Sequence, residues 1–316
     1  MPKVSNLLQK LSQKLFEELE DQEKFIKSLV QPQSFHPCIL WCRQKPATLP
    51  FTVEPPLAWQ PPFIDRLPHR TKPGKDPLHN NGYFYCLDFS SVFAASVVLT
   101  ISQPINLVLD MCAAPGGKSI FSWQALHPKL LLSNEVIKKR TGILITNLKR
   151  CQIQPAVVFS LDSQLLAKLI PKTLQLVLVD APCSGQSLLA KGGKAPGCFH
   201  PVSIKKNVNR QKRILANSAQ LVAPQGYLAY MTCTYSPEEN EGVSEWFIKN
   251  FPTFQPLVVP PLAAYQSHLT VLPSYRMWPQ SGLGAGAFTI LFQNTEEGEA
   301  NSLPPDFLNS PGSTFI

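Results

Sequence analysis

No apolar run in the 316-residue sequence reaches the roughly 18 residues that a membrane-spanning helix needs. The opening residues, MPKVSNLLQKLSQKL, lack the compact apolar stretch and small-residue cleavage site of a secretory leader. A cytoplasmic, monomeric chain with no membrane partner is therefore expected. Cysteines at C-x-x-C spacing are also missing, although there are 8 cysteines, so no metal site is expected. Without a leader, the even number does not imply disulfides, and most of these thiols are expected to be small buried groups. Two phosphate-cradling glycine patterns are absent. The Walker A pattern fails because Cys112 stands five positions before Gly117, where its first glycine belongs. G-x-G-x-x-G is not present either. Finally, no Asp or Glu occurs from Ala181 to Pro237, a stretch that holds Lys191, Lys194, Lys205, Lys206, Arg210, Lys212 and Arg213. The net charge of +8 attracts phosphates but does not by itself identify a nucleic-acid partner.

Apolar residues recur at helical spacing at Leu7, Leu8, Leu11, Leu15 and Leu19, then at Phe25, Ile26, Leu29 and Val30. This predicts two short scaffold helices, the second capped by Asp21. From residue 32 to about 80, prolines such as Pro46, Pro50, Pro55, Pro56, Pro61 and Pro62 interrupt any regular pattern. Short strands and loops are expected there, making 1–80 a small subdomain with a possible RNA contact. From 83 onward, strand patterns (INLVLDM, KLLLSNE, 156–160, 175–180, 227–233) alternate with helical ones from Lys118 and over 136–150, 206–222 and 238–250. That alternation predicts an α/β catalytic domain over 81–293, with a mostly parallel sheet covered on both faces. The polar run from Asn294, with Glu296, Glu297, Glu299, Pro304 and Pro305, predicts a disordered tail over 294–316.

Ligands bind such sheets at the carboxyl ends of the strands. That rule selects 110–118, Glu135, Asp162, 180–185 and 232–234 as one rim. In LDMCAAPGGKS (109–119) a strand ends in Asp110, and a small-residue loop, Ala113, Ala114, Pro115, Gly116 and Gly117, opens a helix at Lys118. Small residues let a ligand approach the backbone closely, and helix N-terminal amides favour a carboxylate. Glu135 ends the next strand, where an acid can bind ribose hydroxyls, or it caps the following helix. Asp162 follows the third strand, within reach of an adenine amine, or it caps a turn. Together the two acids favour an adenosine-containing cofactor. DAPCSG (180–185) and MTCTYSPEENEG (231–242) each put a cysteine at the same rim.

These segments resemble the Sun/RsmB-type RNA cytosine-carbon-5 methyltransferases. CAAPGGK (112–118), Asn134-Glu135 with Arg140, DAPCSG, and Thr-Cys-Thr followed by Glu239-Asn240-Glu241 match the family pattern, and GYFYCLDFSS (82–91) is similar to its lead-in. The resemblance runs over roughly 80–292. It implies a class I S-adenosylmethionine-dependent methyltransferase fold, Rossmann-like, with a mostly parallel seven-stranded sheet and a small N-terminal α/β subdomain. It implies methylation of carbon 5 of cytosine in RNA, ribosomal RNA before transfer RNA. Cys233 is then the nucleophile, and Cys183 helps release the product. Cys112 to Lys118, Glu135, Asp162 and Asp180 hold S-adenosylmethionine, with Arg140 supporting that pocket.

The chemistry fits the residue types. Carbon 5 of cytosine is a weak nucleophile until a thiolate adds to carbon 6. Asp180 is the candidate acid near ring nitrogen 3. The basic residues between the cysteine motifs are read as RNA-phosphate contacts, against a plainer solvated helix face. A DNA cytosine methyltransferase would use Cys183 and would not need Cys233. A non-catalytic RNA-binding assembly factor would have no use for both thiols. The sequence departs from the family at Phe89, where proline is usual, and over 192–200.

Overall fold

A computed structural model describes residues 4–309 and 312–316 of the chain. Residues 1–3 of the expected N-terminal unit and 310–311 of the expected tail lie outside the described residues.

Helix α1 (Asn6–Leu15) starts where Ser5 Oγ accepts from the Leu8 amide at 3.2 Å. Its stripe of Leu8, Leu11 and Leu15 is buried against Phe25 and Leu29 of α2 (Leu19–Val30) and against Tyr235 and Ala285. Helix α2 begins earlier than expected. Its cap is Glu18, and Asp21 sits within the first turn with Glu20, where acids complement the helix dipole. Strands β1 (Cys38–Trp41), β2 (Ile64–Arg66) and β3 (Phe84–Leu87) form a small antiparallel sheet in the order β2-β1-β3. Because β3 lies beyond residue 80, this sheet draws on both sides of the expected division. The one-turn helix α3 (Pro77–Asn80) leads into β3.

Beyond it, α4 (Phe89–Ala95) precedes β4 (Leu107–Asp110), and α5 (Gly117–Leu126) precedes β5 (Leu130–Asn134). Then come α6 (Lys138–Arg150), β6 (Ala156–Phe159), α7 (Ser163–Leu169) and β7 (Leu174–Asp180). Next are α8 (Pro201–Leu221), β8 (Val222–Thr232), α9 (Glu241–Asn250) and β9 (Phe254–Pro256). The last strands are β10 (Tyr275–Met277), β11 (Ala287–Asn294) and β12 (Thr314–Phe315).

The main sheet runs β10-β11-β8-β7-β4-β5-β6-β12, with β9 on β11. Strands β6, β5, β4, β7 and β8 are parallel, and β11 is antiparallel to both β8 and β10. The seven expected strands are thus present, extended by the short β9 and β12. Both faces are apolar. Val108, Leu131 and Leu178 pack with Ile120, Phe121 and Leu144, whereas Leu109, Leu132 and Val179 pack with Leu166, Leu215 and Phe247. Continuous apolar strands are what a doubly covered parallel sheet requires.

The tail is not the free segment expected. Glu296 pairs with Lys172, the Asn301 side chain donates to the Pro171 carbonyl at 2.7 Å, and β12 adds antiparallel to β6. Phe307 is buried against Phe159, ring centroids 4.9 Å apart. A polar composition therefore hides one aromatic anchor and an edge strand. Among the described residues, no helix is long and apolar enough to cross a membrane.

The far edge of the sheet carries a buried ion pair. Arg276 on β10 donates to Glu241 at the start of α9 through Nε at 2.6 Å and through Nη2, and Ser267 Oγ donates to the same carboxylate at 2.7 Å. Arg276 Nη1 also donates to the Tyr235 carbonyl at 3.2 Å. Glu241→Ala leaves the guanidinium buried without its counter-charge. The expected loss is about 3–5 kcal/mol in urea unfolding; a loss under about 1 kcal/mol counts against this account.

Candidate active site

The loop after β4 is pinned from two sides. Arg140 Nη2 of α6 donates to the Ala114 carbonyl at 2.5 Å, and Asn147 Nδ2 donates to the Pro115 carbonyl at 2.8 Å. Gly116 takes φ +115°, a left-handed conformation that glycine adopts without strain. A Cβ on Gly117 would lie 2.6 Å from Leu87 Cδ1, so β3 and α5 pack closely only because that side chain is missing. Asp110 is fully buried, and Ser119 Oγ of α5 donates to its Oδ2 at 2.7 Å. Burial pushes the Asp110 carboxyl up to about 7; the Asp180 charge adds to this, while the Ser119 hydroxyl and Lys118 oppose it.

Glu135, at the end of β5, is 3% exposed. Its Oε1 accepts from the Ile137 amide at 2.9 Å, and its Oε2 lies 3.0 Å from Arg140 Nη1 but receives no hydrogen bond. Helix α6 starts at Lys138, so Glu135 holds the turn before it. Val136 and Ile137 follow as exposed apolar residues. Asp162 is the N-cap of α7, accepting from the Gln164 amide at 2.9 Å, so its capping reading holds; it lines the same cleft as Glu135.

Strands β7 and β8 run side by side with Asp180 opposite Met231. Cys183 and Cys233 follow three and two residues later, and their sulfurs lie 3.4 Å apart. Ser184 Oγ and Thr234 Oγ1, 2.6 Å apart, tie the two loops together, as does the Ser187 amide donating to the Cys233 carbonyl at 3.2 Å. Cys233 is exposed. The Cys183 hydrogen bond lowers the Cys233 thiol below the ordinary range, helped by Lys118 and Ser187 against burial and Asp180. Cys183 is raised well above it, by the bond to Cys233, by burial and by the Glu239 charge. Lys118 Nζ sits 2.7 Å from Asp180 Oδ2 and donates to Ser91 Oγ at 3.3 Å. Asp180 therefore stands with an ammonium against it rather than alone. Burial raises Cys112 well above the ordinary thiol range, consistent with a wall group rather than a nucleophile.

A cleft of about 570 Å³ joins these parts, lined by Cys112, Ala114, Glu135, Asp162, Asp180, Cys183 and Cys233. Ala113, Pro115, Gly117 and Lys118 line an adjoining cavity of about 220 Å³ that shares Asp180. The basic residues separate. Arg210 and Arg213 of α8 line the main cleft, and Lys206 stands one turn before Arg210 on the same helix face. Lys205 lines a groove against α1, Lys191 pairs with Asp88, and Lys212 lies over the Trp246 ring at 5.2 Å. Lys194 is exposed, apart from the cleft lining.

Several site residues escape sequence reasoning. Ser119 and Gln211 act through contacts between distant segments, and Glu239, read from the sequence only as part of a motif, takes its contacts from Ser184 and Gln211. Val136 and Ile137 left one signal, an apolar pair directly after an acid at a strand end.

The raised Asp110 value has a consequence for stability. The folded chain keeps this proton up to about pH 7, whereas an unfolded aspartate loses it near its ordinary value of 3.8. The contribution to stability is thus full below the lower value, falls as pH rises through this window, and is flat above it. Asp110→Asn removes that decline. Urea unfolding at a series of pH values is expected to show the variant gaining on the parent between about pH 4 and 7; parallel curves would refute it.

Residues 97–293 match the family model described as 16S rRNA methyltransferase RsmB/F. The ribosomal RNA small subunit methyltransferase F of Aliivibrio salmonicida (strain LFI1238) is 30% identical over 190 residues, 59% of this chain and 40% of that protein. Its counterpart in Escherichia coli (strain K12) is 29% identical over 180 residues, 57% and 38% respectively. The chain thus spans about two fifths of the length of the curated relatives it matches. Among solved structures, a methyltransferase homolog protein from Pyrococcus horikoshii has a TM-score of 0.73 at 21% identity, covering 93% of this chain and 99% of that one. NSun6 from Pyrococcus horikoshii with SFG has a TM-score of 0.73 at 18% identity, with the same coverage. At these identities the structures establish the fold. With a family match covering more than half its length and the family's motifs gathered on one cleft, the chain belongs to the RsmB/F family of 16S rRNA methyltransferases, which take their methyl group from S-adenosylmethionine.

Proposed function

We propose that the protein methylates carbon 5 of a cytosine in RNA through a transient bond between Cys233 and carbon 6. The observation that carries this reading is the pair of rim thiols 3.4 Å apart, one exposed and lowered, the other raised. A single nucleophile would not need a second sulfur in contact. A second thiol in contact suits a reaction whose nucleophile must later be expelled.

The cofactor fits the same cleft. Glu135 Oε2 is buried without a donor, an acceptor suited to a ribose hydroxyl. Small residues from Cys112 to Gly117 and the N-terminus of α5 suit a carboxylate and sulfonium group. Asp162 is assigned to the adenine amine, and Arg140 holds the Ala114 carbonyl and Glu135 in place. Bound there, S-adenosylmethionine supplies an electrophilic methyl group.

The chain's own residues do the rest. Cys233, as thiolate, adds to carbon 6 and makes carbon 5 electron-rich. The negative charge that develops at nitrogen 3 is met by a proton from Asp180 in its acid form, and the Lys118 ammonium beside it stabilises the carboxylate left behind. After methyl transfer the carbon-5 proton must leave, directly or through water, with the assistance of Cys183, and the Cys233 bond then breaks. Lys206, Arg210 and Arg213 are the residues assigned to RNA phosphates. Ribosomal RNA is the proposed substrate on family membership.

Cys233→Ala is expected to abolish methylation while keeping cofactor binding, and Cys183→Ala to accumulate a covalent protein–RNA adduct seen on denaturing gels. Normal turnover by Cys183→Ala with trapping by Cys233→Ala reverses the assignment. Bisulfite sequencing of total RNA from a deletion strain should reveal one lost cytosine modification; an unchanged profile speaks against the activity. Glu135→Gln should weaken S-adenosylmethionine binding roughly tenfold or more by calorimetry, the scale of one charge-assisted hydrogen bond. Unchanged affinity would remove Glu135 from the ribose site.

A further inference from the structure

Glu239 has no exposed surface. Among the described residues its carboxylate has no cationic partner within 4.0 Å, unlike Glu241 two residues on, which is paired with Arg276. A buried carboxylate without a counter-charge costs several kcal/mol, so such a group rarely serves packing alone. Its position beside the two thiols suggests what it does.

Glu239 Oε2 accepts from the Ser184 amide at 2.9 Å and from Gln211 Nε2 of α8 at 2.9 Å, while Oε1 has no donor. The same Gln211 nitrogen reaches the Pro182 carbonyl at 3.1 Å. Pro182 and Ser184 flank Cys183, so the carboxylate and Gln211 hold the Cys183 loop from both sides. On its own segment the Glu239 amide is anchored to the Ser236 carbonyl at 3.2 Å, and the Glu239 carbonyl accepts from Tyr230 OH of β8 at 2.6 Å. That segment continues directly from Cys233. One side chain therefore bridges the loops that carry the two sulfurs.

The electrostatics around it are lopsided. Burial raises the Glu239 carboxyl, with the Glu238 charge adding to this and the Ser184 and Gln211 hydrogen bonds opposing it; its own charge in turn raises Cys183, Cys198 and Tyr230. The charges that act on Cys233 are Lys118, which favours its thiolate, and Asp180, which opposes it. The Glu239 charge thus bears on Cys183, whereas at Cys233 the Asp180 carboxylate and the Lys118 ammonium oppose one another.

We propose that Glu239 is a positioning residue that clamps the Cys183 loop against the Cys233 loop, and whose charge keeps the proton shared by the two sulfurs on Cys183, leaving Cys233 as the thiolate. This rests on the cytosine reading above for its purpose, but not for its measurement. Two identical thiols in contact would share the charge; Glu239 makes them unequal, so that only one enters the reaction as nucleophile.

The test is alkylation of the full chain with iodoacetamide. Modified Cys183 and Cys233 are quantified by peptide mass spectrometry, and the ratio at pH 7 is normalised to the ratio at high pH. At high pH both groups are thiolates, so normalisation removes the difference in access. In the parent, Cys233 takes the label at neutral pH. Glu239→Gln, which retains an acceptor of similar shape, is expected to raise the normalised Cys183 share about tenfold, one pK unit of relative preference. Glu239→Asp keeps the charge on a shorter stem; it should leave the normalised ratio near the parent's and lower kcat through the loosened clamp. An unchanged ratio in Glu239→Gln, or an equal rise in Glu239→Asp, overturns the proposal. If Glu239→Gln folds poorly, Glu239→Asp with kcat equal to the parent's removes the clamp and overturns the proposal. The labelling does not require turnover. Methylation that survives Cys233→Ala would sink the cytosine reading without touching this result.

Discussion

Parallel pairing of β7 with β8, with Asp180 opposite Met231, is the constraint from which the site follows. Strands of equal direction end at the same edge, so two short loops leave the sheet together. Each loop carries a cysteine within three residues of its strand. Side-by-side exit brings together sulfurs 50 residues apart in sequence, and the Ser184–Thr234 contact and the Ser187 amide hold the loops with the sulfurs at 3.4 Å. The same edge receives the loop after β4 and the acid after β5, because those strands also run in the same direction. A slip of one residue between β7 and β8 would turn one cysteine to the opposite face of the sheet. The apolar packing of Val177, Val179, Leu228 and Tyr230 on one face, and of Leu176, Leu178, Ala229 and Met231 on the other, guards against it.

Around this edge the protein buries several carboxylates and treats each differently. Glu241 has a guanidinium, which serves the frame holding the Tyr235 carbonyl. Asp110 has a serine hydroxyl and no direct cation, and burial raises it to about 7. Glu135 keeps one oxygen without a donor, beside the cleft. Glu239 sits between the loops of the thiol pair with amide donors only. A fold seeking stability alone would pair or expose such groups. Asp110 and Glu239 lie near the strand ends of the cleft without an ion pair among the described residues, Glu135 meets Arg140 on one side only, and Glu241, held by two guanidinium nitrogens and a serine, lies at the edge of the sheet.

The basic stretch is less unified than its composition implies. Seven basic residues in an acid-free stretch read as one patch, yet helix α8 divides them. Lys206, Arg210 and Arg213 share a face toward the cleft, while Lys205 and Lys212 turn to α1 and Trp246. Lys191 is occupied by Asp88, an acid outside the stretch altogether. A count of charge along the chain does not contain the partner that neutralises it or the face of the helix that displays it.

The local pattern by itself determined which segments are strands and helices, and that the sheet is parallel and doubly covered. Apolar runs and period-3.6 stretches are properties of neighbouring residues. The motif residues Cys112 to Lys118, Glu135, Asp180, Cys183 and Cys233 were legible for a related reason, since each lies within a few residues of a strand end. The tail was not legible, because its polar composition outweighs the single ring of Phe307 that docks on Phe159. Nor was the start of α2, where Glu18 rather than Asp21 holds the cap position. Tertiary structure alone decided which charges surround each thiol, Glu239 beside Cys183 and the opposed Asp180 and Lys118 beside Cys233. Lys118, Gln211 and Glu239 reach the pair from α5, α8 and the loop after β8, and a field summed over such distant segments is not written in any one of them.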